Sequence, residues 1–375
     1  MSFSKACHLA IEELKQKYKG SSIPFAFTYM FIDESQDFDE NFFELCELVT
    51  EKNVYIAGDI FQNFIFDENI SSTIQPDYLL GKCYRTDPRT LMFAHGLGMG
   101  LFEKNKLRWL GEKEWKDCGY NVEIKNKKFY LSREPLRRFE DLDENFESIQ
   151  IIEITKNYSD TVVTVIKQLI SENTTIKPDD IGIILIDQSK EIYKLADVIE
   201  LKIHQQIGLP VNKAYETKEK KSEAVLISNR NNVKGLEFPF VICITQGIKN
   251  SSSYRNSLYT MLTRSFIKSF LLIPNTPKSG LTSEMKTALS EINEHKQMII
   301  DEPSEAEKKR IRTRFEYRVK RMSHYDIMMD VFKKLKIDKQ YHDKLFQATQ
   351  QFDMIESDEE TLTEFVRDNI KYIKS

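Results

Sequence analysis

The chain has 375 residues, of which 54 are Lys or Arg and 58 are Asp or Glu, and 41% of its residues are hydrophobic. This composition is typical of a folded globular protein, and the length predicts two or three domains. No apolar run approaches the roughly 18 residues of a membrane span. The five cysteines form no C-x-x-C pair, which argues against a disulfide scaffold or a zinc ribbon. We therefore expect a cytoplasmic protein in which any metal arrives with a substrate.

The first 78 residues predict a partial α/β unit. A helix over residues 3–18 precedes an apolar strand, Phe25–Ile32, and a second helix leads to another apolar strand, Val54–Ala57. Strands that are apolar nearly throughout are typical of a parallel sheet with both faces covered. Each strand is followed by acidic residues, Asp33-Glu34 and then Gly58-Asp59. Ligands bind at the carboxyl ends of such strands, so we expect these carboxylates at a functional edge.

After residue 78 the alternation of strands and helices begins again. Strands of the buried type are predicted at Ile149–Ile154, Ile181–Ile186, Phe240–Ile244 and Ser269–Ile273. From Pro274 onward the chain is predicted to be helical and charged, without strands. The sequence thus predicts an α/β protein with three regions, which are a partial first domain over 1–78, a parallel-sheet domain over 79–275 and a helical extension over 276–375.

The pair Asp33-Glu34 has two interpretations when it is considered alone. Two adjacent carboxylates at a strand end can hold a hydrated Mg²⁺ and position a water as a general base. The alternative is a cluster at the start of a helix, because Asp and Glu favour the first helical turn. The order of further polar segments along the chain separates these interpretations.

Five segments, in this order, resemble motifs of the UvrD/Rep type of superfamily 1 nucleic-acid helicases. They are Asp33–Asp37 (motif II, or Walker B), Gly58–Gln62 (motif III), Tyr84–Thr86 (motif IV), Lys234–Phe238 (motif V) and Tyr259–Ser265 (motif VI). The resemblance implies that the first two regions are RecA-like domains. It also implies ATP and Mg²⁺ as cofactors, and single-stranded nucleic acid, expected to be DNA, as a partner.

The resemblance further implies a role for each matching residue. Phosphoryl transfer needs cations because charge spreads over the transferring oxygens, and bidentate arginines suit that task better than lysines. The implied catalytic residues are Asp33 on Mg²⁺, Glu34 on the attacking water, Gln62 as a sensor of the γ-phosphate, and Arg85 and Arg264 on the γ-phosphate. The implied nucleotide-binding residues are Tyr84 on the adenine, Gly235, and Glu237 on the ribose.

The largest departure from this family is that no G-x-x-x-x-G-K-[ST] motif occurs in the sequence. Gly81-Lys82 lacks the first glycine, and the glycine-rich segment His95–Gly100 lacks a lysine, so we interpret the latter as close helix packing or a bend. The backbone cradle for phosphate and its lysine are therefore not supplied by these residues. We expect the chain to begin at the last helix before motif II, with the P-loop supplied by a partner chain or by a missing N-terminal region.

Two smaller departures concern positions that contact nucleic acid in the family. Phe64 and Phe66 follow motif III without the usual arginine, and Asn229 and Asn231 stand where the family usually has a threonine and a histidine. Both changes affect positions expected to contact nucleic acid rather than positions expected to contact ATP. Phe64, Phe66 and Asn231 remain candidates for that contact.

A basic stretch over residues 308–321 is the other candidate nucleic-acid surface. It holds eight basic residues, including Arg312, Arg314 and Arg318, against the single acid Glu316, and aromatic side chains are interleaved. Such a stretch suits phosphate backbones and bases. The alternative is a solvated face of a charged helix.

Three hypotheses about function follow from these observations. The first is part of a split ATP-dependent helicase or translocase, and the second is a non-hydrolysing regulatory or scaffold subunit derived from one, in a repair or phage-defence complex. The third is a longer protein whose start was assigned too late.

The first two strands also predict an interface. In the RecA-like sheet that the motifs imply, the strand leading to the P-loop pairs beside Val54–Ala57. Without that strand this edge is unpaired, and it carries no proline or bulge signal that would protect it. We therefore predict a complex whose interface covers Val54, Tyr55 and Ile56.

Overall fold

The computed structural model describes residues 3–35, 38–59, 77–78, 80–81, 83–135, 146–155, 157–217, 221–275, 280–311, 324–351, 354 and 359–373. The chain divides into two compact units, Met1–Gln75 (unit 1) and Pro76–Ser375 (unit 2). Within the described residues, no helix combines the length and the apolar character that crossing a membrane requires.

Unit 1 consists of two helices and a two-stranded parallel sheet. Its elements are α1 (Phe3–Lys17), β1 (Phe27–Ile32), α2 (Glu40–Val49) and β2 (Thr50–Ile56). Helix α2 begins after Asp39, whose side chain accepts a hydrogen bond from the Phe42 amide at 3.2 Å. The two strands pair in parallel, with Met30 opposite Val54 and Ile32 opposite Ile56.

The expectation that both faces of this sheet are covered is wrong for unit 1. Phe27, Tyr29 and Phe31 alternate along β1 and are exposed, whereas Ile32 on the opposite face is buried. Among the described residues, α1 and α2 pack against each other, and α2 also contacts β2. In the part of the chain that the structure describes, β2 pairs with β1 alone, which agrees with the predicted unpaired edge.

Unit 2 is built from alternating strands and helices and confirms the α/β class. Its strands are β3 (Asn121–Lys125), β4 (Lys128–Ser132), β5 (Ile149–Ile154), β6 (Ile181–Leu185), β7 (Val211–Lys213), β8 (Val225–Asn229), β9 (Phe238–Ile244), β10 (Ser265–Pro274) and β11 (Gln297–Asp301). Its helices are α3 (Pro88–Gly98), α4 (Glu112–Asp117), α5 (Tyr158–Glu172), α6 (Lys190–Ile207), α7 (Ala214–Thr217), α8 (Ser252–Leu262), α9 (Gly280–His295), α10 (His324–Lys334), α11 (His342–Gln351) and α12 (Glu359–Ile373).

Six of these strands form a parallel sheet in the order β5-β10-β9-β6-β8-β7. Every residue of the central strand β6 is buried, as expected for a strand covered on both faces. Helices α5 and α6 pack on one face through the apolar side chains Val162, Ile166, Ile192 and Ile199. Helix α6 ends at Gly208, whose φ of 78° is the left-handed conformation that favours glycine at a helix end.

A three-stranded antiparallel sheet, in the order β11-β4-β3, corrects the predicted helical extension. Strand β11 lies at residues 297–301, within the region predicted to contain no strand, and pairs with β4 of the preceding region. Met298 and Ile300 are buried and alternate with more exposed residues. The sequence signal for β11 is a short alternation of buried and more exposed residues over five positions, within a charged segment. The two predicted regions therefore share one sheet.

The glycine-rich segment at the end of α3 packs closely against its neighbours, as predicted. A Cβ atom on Gly96 would lie 2.1 Å from Cζ of Phe102, and one on Gly98 would lie 3.0 Å from Cβ of Tyr259. Gly100 has a φ of 64° and packs on Leu107. Gly98 lets α3 approach α8, the helix that leads into motif VI, whereas Gly96 and Gly100 make room for Phe102 and Leu107.

Helices α10, α11 and α12 form a separate small core. It contains the buried residues Met328, Val331, Phe332, Leu345, Leu362 and Val366. The amphipathic spacing of these residues favours helices that bury one face against one another.

Candidate functional site

The acidic pair of unit 1 lies at the carboxyl end of β1. Asp33 is exposed, and its Oδ1 accepts a hydrogen bond from the Glu34 amide at 2.8 Å. Glu34 has a φ of 51°, a left-handed conformation that is uncommon for a residue other than glycine. The Ser35 amide donates to the Ala57 carbonyl at 3.0 Å, which ties the ends of both strands together. The carboxylates thus sit on a turn whose backbone is held by the sheet.

In unit 2, the start of α3 positions the segment Tyr84–Thr86. Asp87 caps the helix through a 2.9 Å hydrogen bond from the Arg89 amide, and Pro88 follows at the first helical position. The Asp87 carboxylate also accepts from the Ser148 hydroxyl at 2.8 Å, just before β5. Asp87 and Arg89 are buried and form an ion pair at 3.1 Å. This network fixes the start of α3, directly after Tyr84–Thr86, beside the residue that precedes β5.

Arg85 joins three segments that are distant in sequence. Its Nη1 donates to Oε1 of Glu237 at 2.7 Å, and its Nε donates to the Thr263 carbonyl at 3.1 Å. Partial burial lowers the pKa of Arg85, but the hydrogen bond and charge of Glu237 outweigh it, so the pKa is raised and the side chain stays cationic. The side chains of Arg85 and Glu237 keep 35% and 49% of their surface exposed. The pair is therefore open to solvent and to ligands.

The segment Thr263–Arg264 forms the turn between α8 and β10. The Thr263 carbonyl also accepts from the Thr86 hydroxyl at 3.0 Å, and the Phe238 amide donates to the Arg264 carbonyl at 3.0 Å. Arg264 is buried, with 4% of its surface exposed. The structure thus brings Arg264 next to the start of β9 and to the Arg85 contact, with its side chain held inside unit 2.

Gly235 and Glu237 lie on the loop between β8 and β9. Gly235 has a φ of 76°, which a glycine adopts without strain, and both residues are exposed. At the other end of this loop the Asn229 side chain accepts hydrogen bonds from the Asn231 and Asn232 amides at 3.1 and 3.0 Å. Asn231 is exposed.

Sequence reasoning missed Arg255, which anchors α8. Its guanidinium is fully buried and donates to the Leu97 carbonyl at 3.0 Å and to the Glu103 carboxylate at 2.6 Å. Further hydrogen bonds go to the carbonyl of Lys249 and the side chain of Asn250. The Asp87-Pro88 dipeptide is a sequence signal of a helix start. No local pattern marks Arg255, because its partners Leu97 and Glu103 lie more than 150 residues away.

Several predicted site residues lie outside the described residues. These are Gln62, Phe64, Phe66, Arg312, Arg314 and Arg318. The structure brings Arg85, Glu237, Thr263 and Arg264 together in unit 2, and places Asp33 and Glu34 on unit 1. The cluster in unit 2 offers a cation, a carboxylate and backbone acceptors at one end of the parallel sheet. Such a set can bind a polyanion that also carries hydroxyl groups.

Residues 224–272 match the family model described as UvrD-like helicase C-terminal domain. These residues are similar to that domain, and we call them the UvrD-like segment. The UvrD-like segment runs from the start of β8 through the Gly235–Glu237 loop and Arg264 into β10, so it contains two of the three parts of the cluster. The match is confined to this segment of the chain.

One solved structure with a detectable likeness is the C-terminal domain of a possible DNA helicase from Lactobacillus plantarum WCFS1. The two are 21% identical, the match covers 38% of this chain and 84% of that chain, and the TM-score is 0.30. No curated protein matches this chain.

Proposed function

We propose that this chain is the C-terminal part of a superfamily 1, UvrD/Rep-like ATP-dependent helicase or translocase. It hydrolyses ATP only when a P-loop is supplied by a partner chain or by a further N-terminal region. One observation carries the proposal: Arg85, Glu237 and Thr263, from three predicted motifs, meet through direct hydrogen bonds of 2.7 and 3.1 Å. Two of these segments lie in the UvrD-like match.

In this proposal the residues of unit 2 bind the nucleotide. Arg85 releases its hydrogen bond to Glu237 and binds the γ-phosphate instead. Its planar guanidinium group suits the negative charge that develops during phosphoryl transfer. Glu237, once released, accepts a hydrogen bond from the ribose, with Gly235 giving the backbone close access. Tyr84 is 65% exposed and offers its ring to the adenine base. Arg264 adds a second cation after its side chain leaves the interior.

The acidic pair of unit 1 supplies the remaining groups. An exposed carboxylate at a strand end fits Mg²⁺ that is bound mainly by phosphates and water, and Asp33 is such a group. Glu34 would orient and deprotonate the attacking water. Mg²⁺ would neutralise charge on the phosphates.

The proposed partner on which the helicase or translocase acts is single-stranded nucleic acid, expected to be DNA. Asn231 on the exposed loop, the aromatic residues Phe64 and Phe66, and the basic stretch over 308–321 are the candidate contacts. A cytoplasmic location belongs to the same proposal.

Native mass spectrometry of the purified chain, with and without a P-loop-bearing chain encoded beside it and with Mg-ATP, tests the proposal. We expect weak or no ATP binding by the chain alone, and a complex that retains ATP when the P-loop chain is present. A complex that never retains ATP would favour the second candidate, a non-hydrolysing scaffold. In that candidate the Arg85–Glu237 pair has a structural role, with the charge of each side chain neutralised by the other.

A further inference from the structure

Unit 1 exposes four aromatic rings on one face of its sheet. Phe27, Tyr29 and Phe31 alternate along β1 with 53%, 47% and 78% of their surface exposed, and Tyr55 of β2 is 48% exposed. The register places Tyr55 opposite Phe31, and their rings stack with centroids 4.9 Å apart. We call these four residues the aromatic face.

Among the described residues, no element buries the aromatic face. Parallel strands are normally covered on both faces, and here the buried Ile32 marks the only face that helices cover within the described residues. Scattered exposed apolar side chains are ordinary, but contiguous aromatic patches mark interaction sites. Rows of alternate side chains on a sheet accept a helix laid across them. The shape therefore favours a helical partner layer.

The charge of unit 1 selects among possible occupants. Residues 1–59 contain five lysines and no arginine against eleven Asp and Glu. Glu51 lies on β2, the strand that carries Tyr55, and Asp33 directly follows β1; both are exposed. Lys52 is the one cation near these rings among the described residues, with its ammonium 5.3 Å from the centroid of Tyr29. An acidic border repels phosphates and attracts lysine and arginine.

We propose that the aromatic face docks an amphipathic helix of another polypeptide chain, one whose apolar stripe is flanked by Lys and Arg. Leucine-type side chains of that helix pack on the stacked rings of Phe31 and Tyr55, and its basic flank meets Glu51. The inference concerns unit 1 alone, and it holds whether or not unit 2 takes part in ATP hydrolysis.

A pair of synthetic peptides tests this interface with the full chain. The probe is a helix of roughly 18 residues with a leucine stripe flanked by lysine and arginine, and its control carries glutamate at the flanks. We expect fluorescence anisotropy to show binding of the basic helix only. Phe31→Ser and Tyr55→Ser should each weaken binding about tenfold, the scale of a central aromatic contact. The matched control is Leu201→Ser, because Leu201 is 53% exposed on α6, in unit 2.

Each other result would overturn the proposal in a defined way. Equal binding of both peptides would remove the role of charge, and unchanged binding by Phe31→Ser would remove the aromatic face. Absence of binding by either peptide would exclude a helical occupant. A single-stranded oligothymidine that binds the wild type and not Phe31→Ser would assign the rings to base stacking. A dimer in sedimentation that Phe31→Ser dissolves would identify a second copy as the occupant.

Discussion

The contact between Arg85 and Glu237 should behave as a weak, salt-sensitive pair that a ligand can open. A double-mutant cycle of Arg85→Ala and Glu237→Ala isolates their coupling from the separate bond between Arg85 and Thr263. Their side chains are 35% and 49% exposed at a distance of 2.7 Å. Pairs with this exposure contribute about 0.5–1 kcal/mol at low salt. In about 1 M salt the Debye length falls to about 3 Å, so the coupling should approach zero.

Urea unfolding of the four proteins measures this coupling, and unit 2 contains a matched control. Arg255 and Glu103 pair at 2.6 Å with 0% and 15% of their side chains exposed. Removing either partner leaves a buried charge and should cost about 3–5 kcal/mol, nearly independent of salt. A coupling above about 2 kcal/mol between Arg85 and Glu237 would mean a structural pair, since half-exposed pairs do not reach that value. A coupling of zero at low salt would mean that the pair does not form in solution.

Two further predictions concern packing and charge. Gly96→Ala should destabilise the chain by about 1–3 kcal/mol in urea unfolding, because its Cβ would meet Phe102 at 2.1 Å. The control Gly280→Ala has open space at that position and should not destabilise the chain. Equal stability of both variants would contradict the close packing of α3. Replacing four basic residues of the 308–321 stretch should weaken binding of single-stranded DNA and reduce the salt slope by about one unit per lost phosphate contact; an unchanged slope would leave the solvated helix face as the better interpretation.

Long apolar runs made the parallel sheet of unit 2 predictable. Strand β5 was predicted at its observed bounds, and β6 differs by one residue, because buried central strands read as continuous apolar segments. Strands β3, β7 and β11 were not predicted. They have only three to five residues. Charged or amide side chains lie on the exposed faces of β3 and β11, so hydrophobic periodicity is short and weak there.

The site was predictable in part for a different reason. The order of motifs along the chain indicated that Arg85, Glu237 and Arg264 belong to one site, and the structure brings their segments together in unit 2. The direct contact between Glu237 and Arg85 could not be predicted from sequence, because it joins residues that are 152 positions apart. The burial of Arg264 could not be predicted either, because it depends on the tertiary packing of the turn after α8. The roles of these residues in ATP hydrolysis stay predictions.

Steady-state ATP hydrolysis by the chain, alone and reconstituted with a P-loop-bearing chain, tests the central claim most directly. We predict no turnover by the pure chain and Mg-dependent turnover by the complex. In the complex, Arg85→Ala and Arg264→Ala should each lower turnover ~10³-fold, as expected for arginines that stabilise a transferring phosphoryl group, and Glu34→Gln should abolish it. Mg-dependent hydrolysis by the rigorously purified chain alone, lost in Glu34→Gln, would contradict the account.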